Sequence, residues 1–121
     1  MNKEDIEKWC RENNYLLVDL KKKQVSPEIV IRISEEATNI EDIGVKTRKG
    51  QYSFARNIAV NYLYKKLPNG VLAKRLNVGH DMVNYYMNHD VLETDPKYLK
   101  EWQREAVSFF REKVCEIESS L

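Results

Sequence analysis

The sequence predicts an all-α protein, a small helical bundle containing a helix-turn-helix. Apolar residues recur at helical spacing along most of the chain. Two helix-starting pairs, Ser26-Pro27 and Asp95-Pro96, each stand before such a stretch. Two short amphipathic stretches flank a break at Asn77–Gly79.

The first element is expected over residues 4–20, where Ile6, Trp9, Cys10, Leu17 and Leu20 fall roughly on one face. Asn13-Asn14 is a soft spot that divides it into two short helices in one reading. Lys21–Lys23 then form a solvated basic end, which suits a helix C-terminus. From Ser26-Pro27 a second helix carries Ile29, Val30, Ile33 and Ala37, although the β-branched content of 28–33 also permits a strand. Ile40 and Ile43 continue the packing in a short turn.

Residues 44–51, GVKTRKGQ, read as a basic loop bounded by glycines. Tyr52 to Lys66 is the clearest helix, with Phe54, Ala55, Ile58, Ala59, Tyr62 and Leu63 on its apolar face. Pro68-Asn69-Gly70 ends it and turns the chain. Residues 71–77 make a short helix with Leu72 and Leu76 inward and the small Ala73 where a neighbouring helix must come close. Val78 fills the turn, and Gly79 is expected to relax its backbone demands. The next helix runs from His80 to about Asn88, with Val83 and Tyr86 inward. Asp95-Pro96 restarts the chain as cap and first-turn proline. Leu99, Trp102, Ala106, Phe109 or Phe110, Val114, Ile117 and Leu121 then mark the longest periodic stretch. Trp9, Trp102, Phe109 and Phe110 are expected in the core.

At 121 residues the chain has room for one helical domain. Within it, 1–45 is an N-terminal helical extension, 46–89 holds the basic loop, the long helix and the helix-turn-helix, and 90–121 is a C-terminal helix. The composition, 42% apolar and 32% charged, is that of an ordered chain. Cys10 and Cys115 have no CxxC partner, so neither a zinc site nor a redox dithiol is indicated. No apolar stretch approaches a membrane span, and no signal peptide opens the chain, so cytoplasmic residence without membrane contact is the expectation. GxGxxG, P-loop and HExxH patterns are absent, and the carboxylates form no recognisable catalytic pair. No enzyme, cofactor or metal is expected.

The formal charge of +1 conceals a pattern. Residues 1–45 carry seven basic and ten acidic side chains, residues 46–89 carry eight and one, and residues 90–121 carry five and eight. The basic block coincides with the loop and the helix-turn-helix, and local potential governs encounter with a polyanion. The expected partner is therefore double-stranded DNA. Lys74 and Arg75, before the turn, are candidates for phosphate, as are Lys46, Arg48 and Lys49 in the loop, which also suit a minor groove, and Arg56 is a further candidate for nucleic-acid binding. His80, Asp81, Asn84, Tyr85 and Asn88 are left for the exposed face of the second short helix. A recognition helix places its early residues near base edges, and Asn pairs well with adenine. Asp81 favours a helix N-terminus but repels phosphate.

Residues 46–89 also resemble the C-terminal DNA-binding domain of DnaA, the bacterial chromosomal replication initiator, whose fold is Trp-repressor-like (TrpR-like). The family signature runs Gly-Gly-Arg-Asp-His-Thr-Thr-Val. The stretch Asn77-Val78-Gly79-His80-Asp81-Met82-Val83 shares its His and Val. Arg56-Asn57-Ile58-Ala59 resembles the family's Arg-Gln-Met-Ala run, and Arg48-Lys49 its basic loop. The resemblance implies base reading by His80 and a minor-groove contact by the loop. Where the family has Arg and Asp before the His, this chain has Val78 and Gly79. Where it has the Thr pair, this chain has Asp81 and Met82. These departures imply either a different DNA target or a scaffold reused for a protein partner. The size leaves no room for the family's ATPase module, and a phage or mobile-element protein acting in replication or transcription suits it. A homodimer through the C-terminal helix would match a palindromic site.

Overall fold

The computed structural model describes residues 25–47 and 49–120. Among the described residues, five α-helices and one short 3-10 turn make up the regular structure, and no strand occurs. The helices are α1 (Pro27–Thr38), α2 (Gly50–Leu63), α3 (Asn69–Leu76), α4 (His80–Met87) and α5 (Glu101–Ser120). The expected helix at 4–20 and the basic end at Lys21–Lys23 lie outside the described residues.

α1 starts as its sequence suggests. Ser26 caps it by accepting a hydrogen bond from the Ile29 N–H, and Pro27 occupies the first turn. The strand alternative for 28–33 is overturned, because Val30 and Ile33 meet the core at helical spacing. The buried Ser34 and Thr38 hydroxyls donate back to the carbonyls of Val30 and Ser34, both at 2.8 Å. α1 and α3 end by the same device. Asn39 and Asn77 both take the left-handed conformation, with φ of 58° and 55°. Beyond each, the next N–H closes the helix: Ile40 onto the Glu35 carbonyl and Val78 onto the Ala73 carbonyl, both at 3.0 Å.

α2 is the centre of the molecule. Every residue from Phe54 to Asn61 is buried, and so is Leu63. A helix buried on all sides must lie between other elements. α1 packs on it from one side and α4 from another, while α5 packs on α1. Edge-on ring pairs, Phe54 with Trp102 at 5.3 Å and Tyr62 with Phe110 at 5.7 Å, join α2 to α5. Ile58, Val60 and Leu63 are fully buried, which stabilises the fold by about 1.5–3 kcal/mol for each side chain.

Three polar side chains enter this core from α2, and each finds partners. The Asn57 amide donates to the Asn61 side-chain oxygen and to the His89 carbonyl, both at 2.6 Å. Asn61 donates to the Tyr86 carbonyl at 2.7 Å and accepts from the Val91 N–H at 3.0 Å. This pair fixes the end of α4 and the chain leaving it. The third side chain is Arg56, which is buried and donates to the carbonyls of Ile43, Val45 and Thr47.

Asp95-Pro96 does not open the long helix. It opens the 3-10 turn Pro96–Tyr98, with the Asp95 carboxylate accepting from the Lys97 N–H at 3.0 Å. Leu99 then returns to extended backbone, and α5 begins at Glu101. Of the paired alternatives on α5, Phe110 is the core residue, buried with Ala106 and Val114, and Phe109 is only half-buried. Leu121 and Cys10 lie outside the described residues, and Cys115 is an exposed free thiol.

Two outcomes test this reading of the core. Asn61→Ala leaves the Tyr86 carbonyl and the Val91 N–H without their partner, so urea unfolding should show a loss of about 2–3 kcal/mol. A loss of less than about 0.5 kcal/mol would contradict the bonding scheme. Glu35 gives the second test, because its carboxylate accepts from the Ile43 N–H at 2.8 Å. Burial pushes the Glu35 carboxyl above its ordinary value of 4.5; the Ile43 N–H opposes this, and the charge of Asp42 adds to it. A carboxyl raised in the folded state contributes stability below 4.5 and loses it as pH rises through the folded value. Glu35→Gln keeps an acceptor without a charge to bury, so the variant should gain on the wild type between pH 4.5 and neutrality. Equal differences in unfolding free energy at the two ends of that window would rule this out.

Candidate nucleic-acid interface

α3 and α4 are joined by three residues, Asn77, Val78 and Gly79. They pack on each other, and α4 also packs on α2. Leu72, Ala73 and Leu76 are buried on α3, and Val83 and Tyr86 on α4. Pro68-Asn69-Gly70 belongs to the start of α3, since the Pro68 carbonyl accepts from the N–H groups of Val71 and Leu72, each at 3.1 Å.

The turn is built differently from the expectation placed on Gly79. That glycine has φ of −78°, open to any residue, and a Cβ there would meet nothing within 4 Å. The residue in the left-handed region is Asn77. Its side-chain amide donates to the Gly44 carbonyl at 2.9 Å, which ties the turn to the basic loop.

The loop is held on three sides. Glu35 takes the Ile43 N–H, Arg56 takes the three carbonyls of Ile43, Val45 and Thr47, and Asn77 takes the Gly44 carbonyl. Arg56 thus binds the loop backbone, and it also lines the cleft beside the loop. The residue is only 5% exposed and its guanidinium donates to the loop backbone, so it shapes the loop from inside. Lys46 and Lys49 are exposed, and Arg48 lies outside the described residues.

Helical geometry sorts the remaining candidates. Asp81, Tyr85 and Asn88 stand at i, i+4 and i+7, opposite the buried Val83 and Tyr86, and all three are exposed. Tyr85 stacks on the His89 ring at 4.1 Å. His80 and Asn84 turn toward the start of α3. The His80 ring lies over Gly70, and Asn84 accepts from the Asn69 amide at 2.9 Å. On the opposite flank Met82 approaches the loop, and a cleft of about 460 Å³ lies between them, lined by Lys46, Thr47 and Met82 among others. Lys74 is exposed and forms no ion pair among the described residues, whereas Arg75 pairs with Glu28 at the start of α1. Asp81 is the one carboxylate in the sequence between Lys46 and His89.

Three features escaped the sequence reading: the buried clamp of Arg56, the Asn57–Asn61 pair, and the cleft beside Met82. The second had a visible signal, since two asparagines stand at i and i+4 among the apolar residues Ile58, Ala59 and Val60. Among the described residues no group of three His, Cys, Asp or Glu is arranged to hold a metal, and no helix is long and apolar enough to cross a membrane. No family model, curated protein or solved structure matches the chain.

Substitutions in the turn separate the roles of its two residues. Asn77→Ala puts a Cβ-bearing residue without a side-chain amide in the left-handed region, and should cost about 1–3 kcal/mol in thermal or urea unfolding. Gly79→Ala should be neutral or slightly stabilising, because the backbone is ordinary and the site is open. The reverse ranking would refute this assignment.

Proposed function

We propose that α3, the Asn77–Gly79 turn and α4 act as a helix-turn-helix that binds double-stranded DNA, with the loop before α2 gripping the backbone beside it. The observation that carries this reading is the tie between loop and turn. The Asn77–Gly44 hydrogen bond and the Arg56 clamp hold the basic loop against α4, so a cationic segment and a short exposed helix form one surface. A loop ordered before binding adds little entropy cost when it meets a ligand.

In this reading Lys46, Lys49 and Lys74 meet phosphates, with Arg48 alongside them in sequence. Asn84 and His80 offer hydrogen bonds to base edges from one flank of α4. Asn88 and Tyr85 stand on its outer face. Arg75 contributes less, because Glu28 already pairs with it. The DnaA resemblance supports the same surface, although Asp81 and Met82 stand where that family has threonines. The same two residues favour a second reading, in which this surface meets a protein. Val71, Met82 and Tyr85 are exposed apolar residues of α3 and α4, and Asp81 lies among them.

Fluorescence anisotropy with random-sequence duplex, followed by sequence selection, tests the proposal. Affinity should fall steeply as salt rises from about 50 to 200 mM, and each of Lys46→Gln, Lys49→Gln and Lys74→Gln should lower the salt slope by about one. Asn84→Ala should change the selected sequence. Asp81→Asn should tighten binding to every sequence, since it removes the one carboxylate carried by residues 46–89. Absence of duplex binding at low salt would refute the DNA reading, and loss of a protein contact in Asp81→Asn would favour the second.

A further inference from the structure

The cleft between the basic loop and α4 has a composition of its own. Its lining includes the cationic Lys46 and Arg56, the hydroxyl-bearing Thr47 and Ser53, the apolar Val78 and Met82, and the buried Tyr86. No carboxylate lines it. The Tyr86 hydroxyl is buried and has no hydrogen-bond partner. A buried hydroxyl without a partner carries a desolvation cost that the fold alone does not relieve. Elsewhere in this region the buried polar side chains are bonded, Arg56, Asn57 and Asn61 among them. Tyr86 is also one of the residues that line the cleft, so its unpartnered hydroxyl is a group that a ligand entering there would satisfy.

The chemistry of the lining defines that group. Two cations, Lys46 and Arg56, and two hydroxyls without an opposing acid suit a phosphate. The thioether and the valine suit an apolar body joined to it. The phenol asks for a polar atom. We propose that the cleft seats one sugar-phosphate unit of a nucleotide chain, with the phosphate on Lys46, Thr47 and Ser53 and the sugar against Val78 and Met82, toward the Tyr86 hydroxyl. This deepens the DNA reading and rests on it for the source of the ligand. It places one strand of the duplex between the loop and α4. Met82, which replaces a family threonine, then serves as a sugar contact.

Amide-resolved NMR of the full chain tests the site with two probes, thymidine 3′,5′-bisphosphate and a short random-sequence duplex. The bisphosphate should shift the resonances of Thr47, Ser53, Val78 and Met82 saturably, and duplex should compete with it. Removing both lining hydroxyls, in Thr47→Val with Ser53→Ala, should weaken the bisphosphate about tenfold or more, as expected for lost hydrogen bonds to a charged group. Tyr86→Phe should melt no lower than the wild type, because no bond within the protein is lost, yet bind the bisphosphate about fivefold more weakly. If Tyr86→Phe binds as the wild type does, the role given to the hydroxyl is overturned. If the bisphosphate binds and duplex neither binds nor competes, the cleft stands as a nucleotide site and the DNA reading falls. If duplex shifts α4 while both probes leave the cleft resonances unmoved, the cleft proposal falls and the DNA reading stands. If neither probe shifts any resonance, both fall.

Discussion

The Arg56 guanidinium, buried under the loop that precedes its own helix, is the contact on which the rest of the candidate surface depends. A buried charge is tolerated only where hydrogen bonds replace the water it has left. Arg56 finds them in the carbonyls of Ile43, Val45 and Thr47. Because these alternate along the backbone, satisfying the guanidinium fixes the path of the loop. The Glu35 carboxylate meets the same segment at the Ile43 N–H. Donor and acceptor sides of one loop residue are thus held by side chains of opposite charge from two different helices.

α2 extends this logic to the other half of the surface. Asn57 and Asn61 take the carbonyls of His89 and Tyr86, at and beyond the end of α4. One helix, apolar enough to be buried on all sides, therefore sets both the loop and the second helix of the pair by its few polar side chains. The Asn77 amide closes the circuit by joining the turn to Gly44. Ordering a flexible loop costs about 1–2 kcal/mol per residue in backbone entropy. Here residues 43–47 are already held by hydrogen bonds in the folded protein, with the exposed Lys46 among them.

The helices were legible because their apolar spacing is strong, and their starts were legible where Ser26-Pro27 supplied a cap and a first-turn proline. Asp95-Pro96 carries the same local chemistry but closes only a 3-10 turn, because Leu99 returns to extended backbone before α5 begins. Local capping signals do not reveal how far the helix after them runs. Gly79 drew attention as the glycine of the turn, while the left-handed residue is Asn77, the second residue type that tolerates that region. Arg56 looked like one more member of a basic block. Only tertiary structure distinguishes a cation that faces solvent from one that binds backbone inside. The candidate face of α4 was legible from its period, since Val83 and Tyr86 fix the inner side and leave Asp81, Tyr85 and Asn88 outward. The cleft was not, because it joins residues that are distant in sequence.

The most direct test of this account is amide hydrogen exchange at Ile43, Gly44 and Val45 in the wild type and in Arg56→Met. Each of the three N–H groups has an acceptor in the folded protein. Slow exchange is expected in the wild type, together with acceleration by about a hundredfold or more in Arg56→Met at unchanged helix content. Exchange in the wild type at the rate of an unstructured peptide would contradict the account, and so would equal protection in the variant.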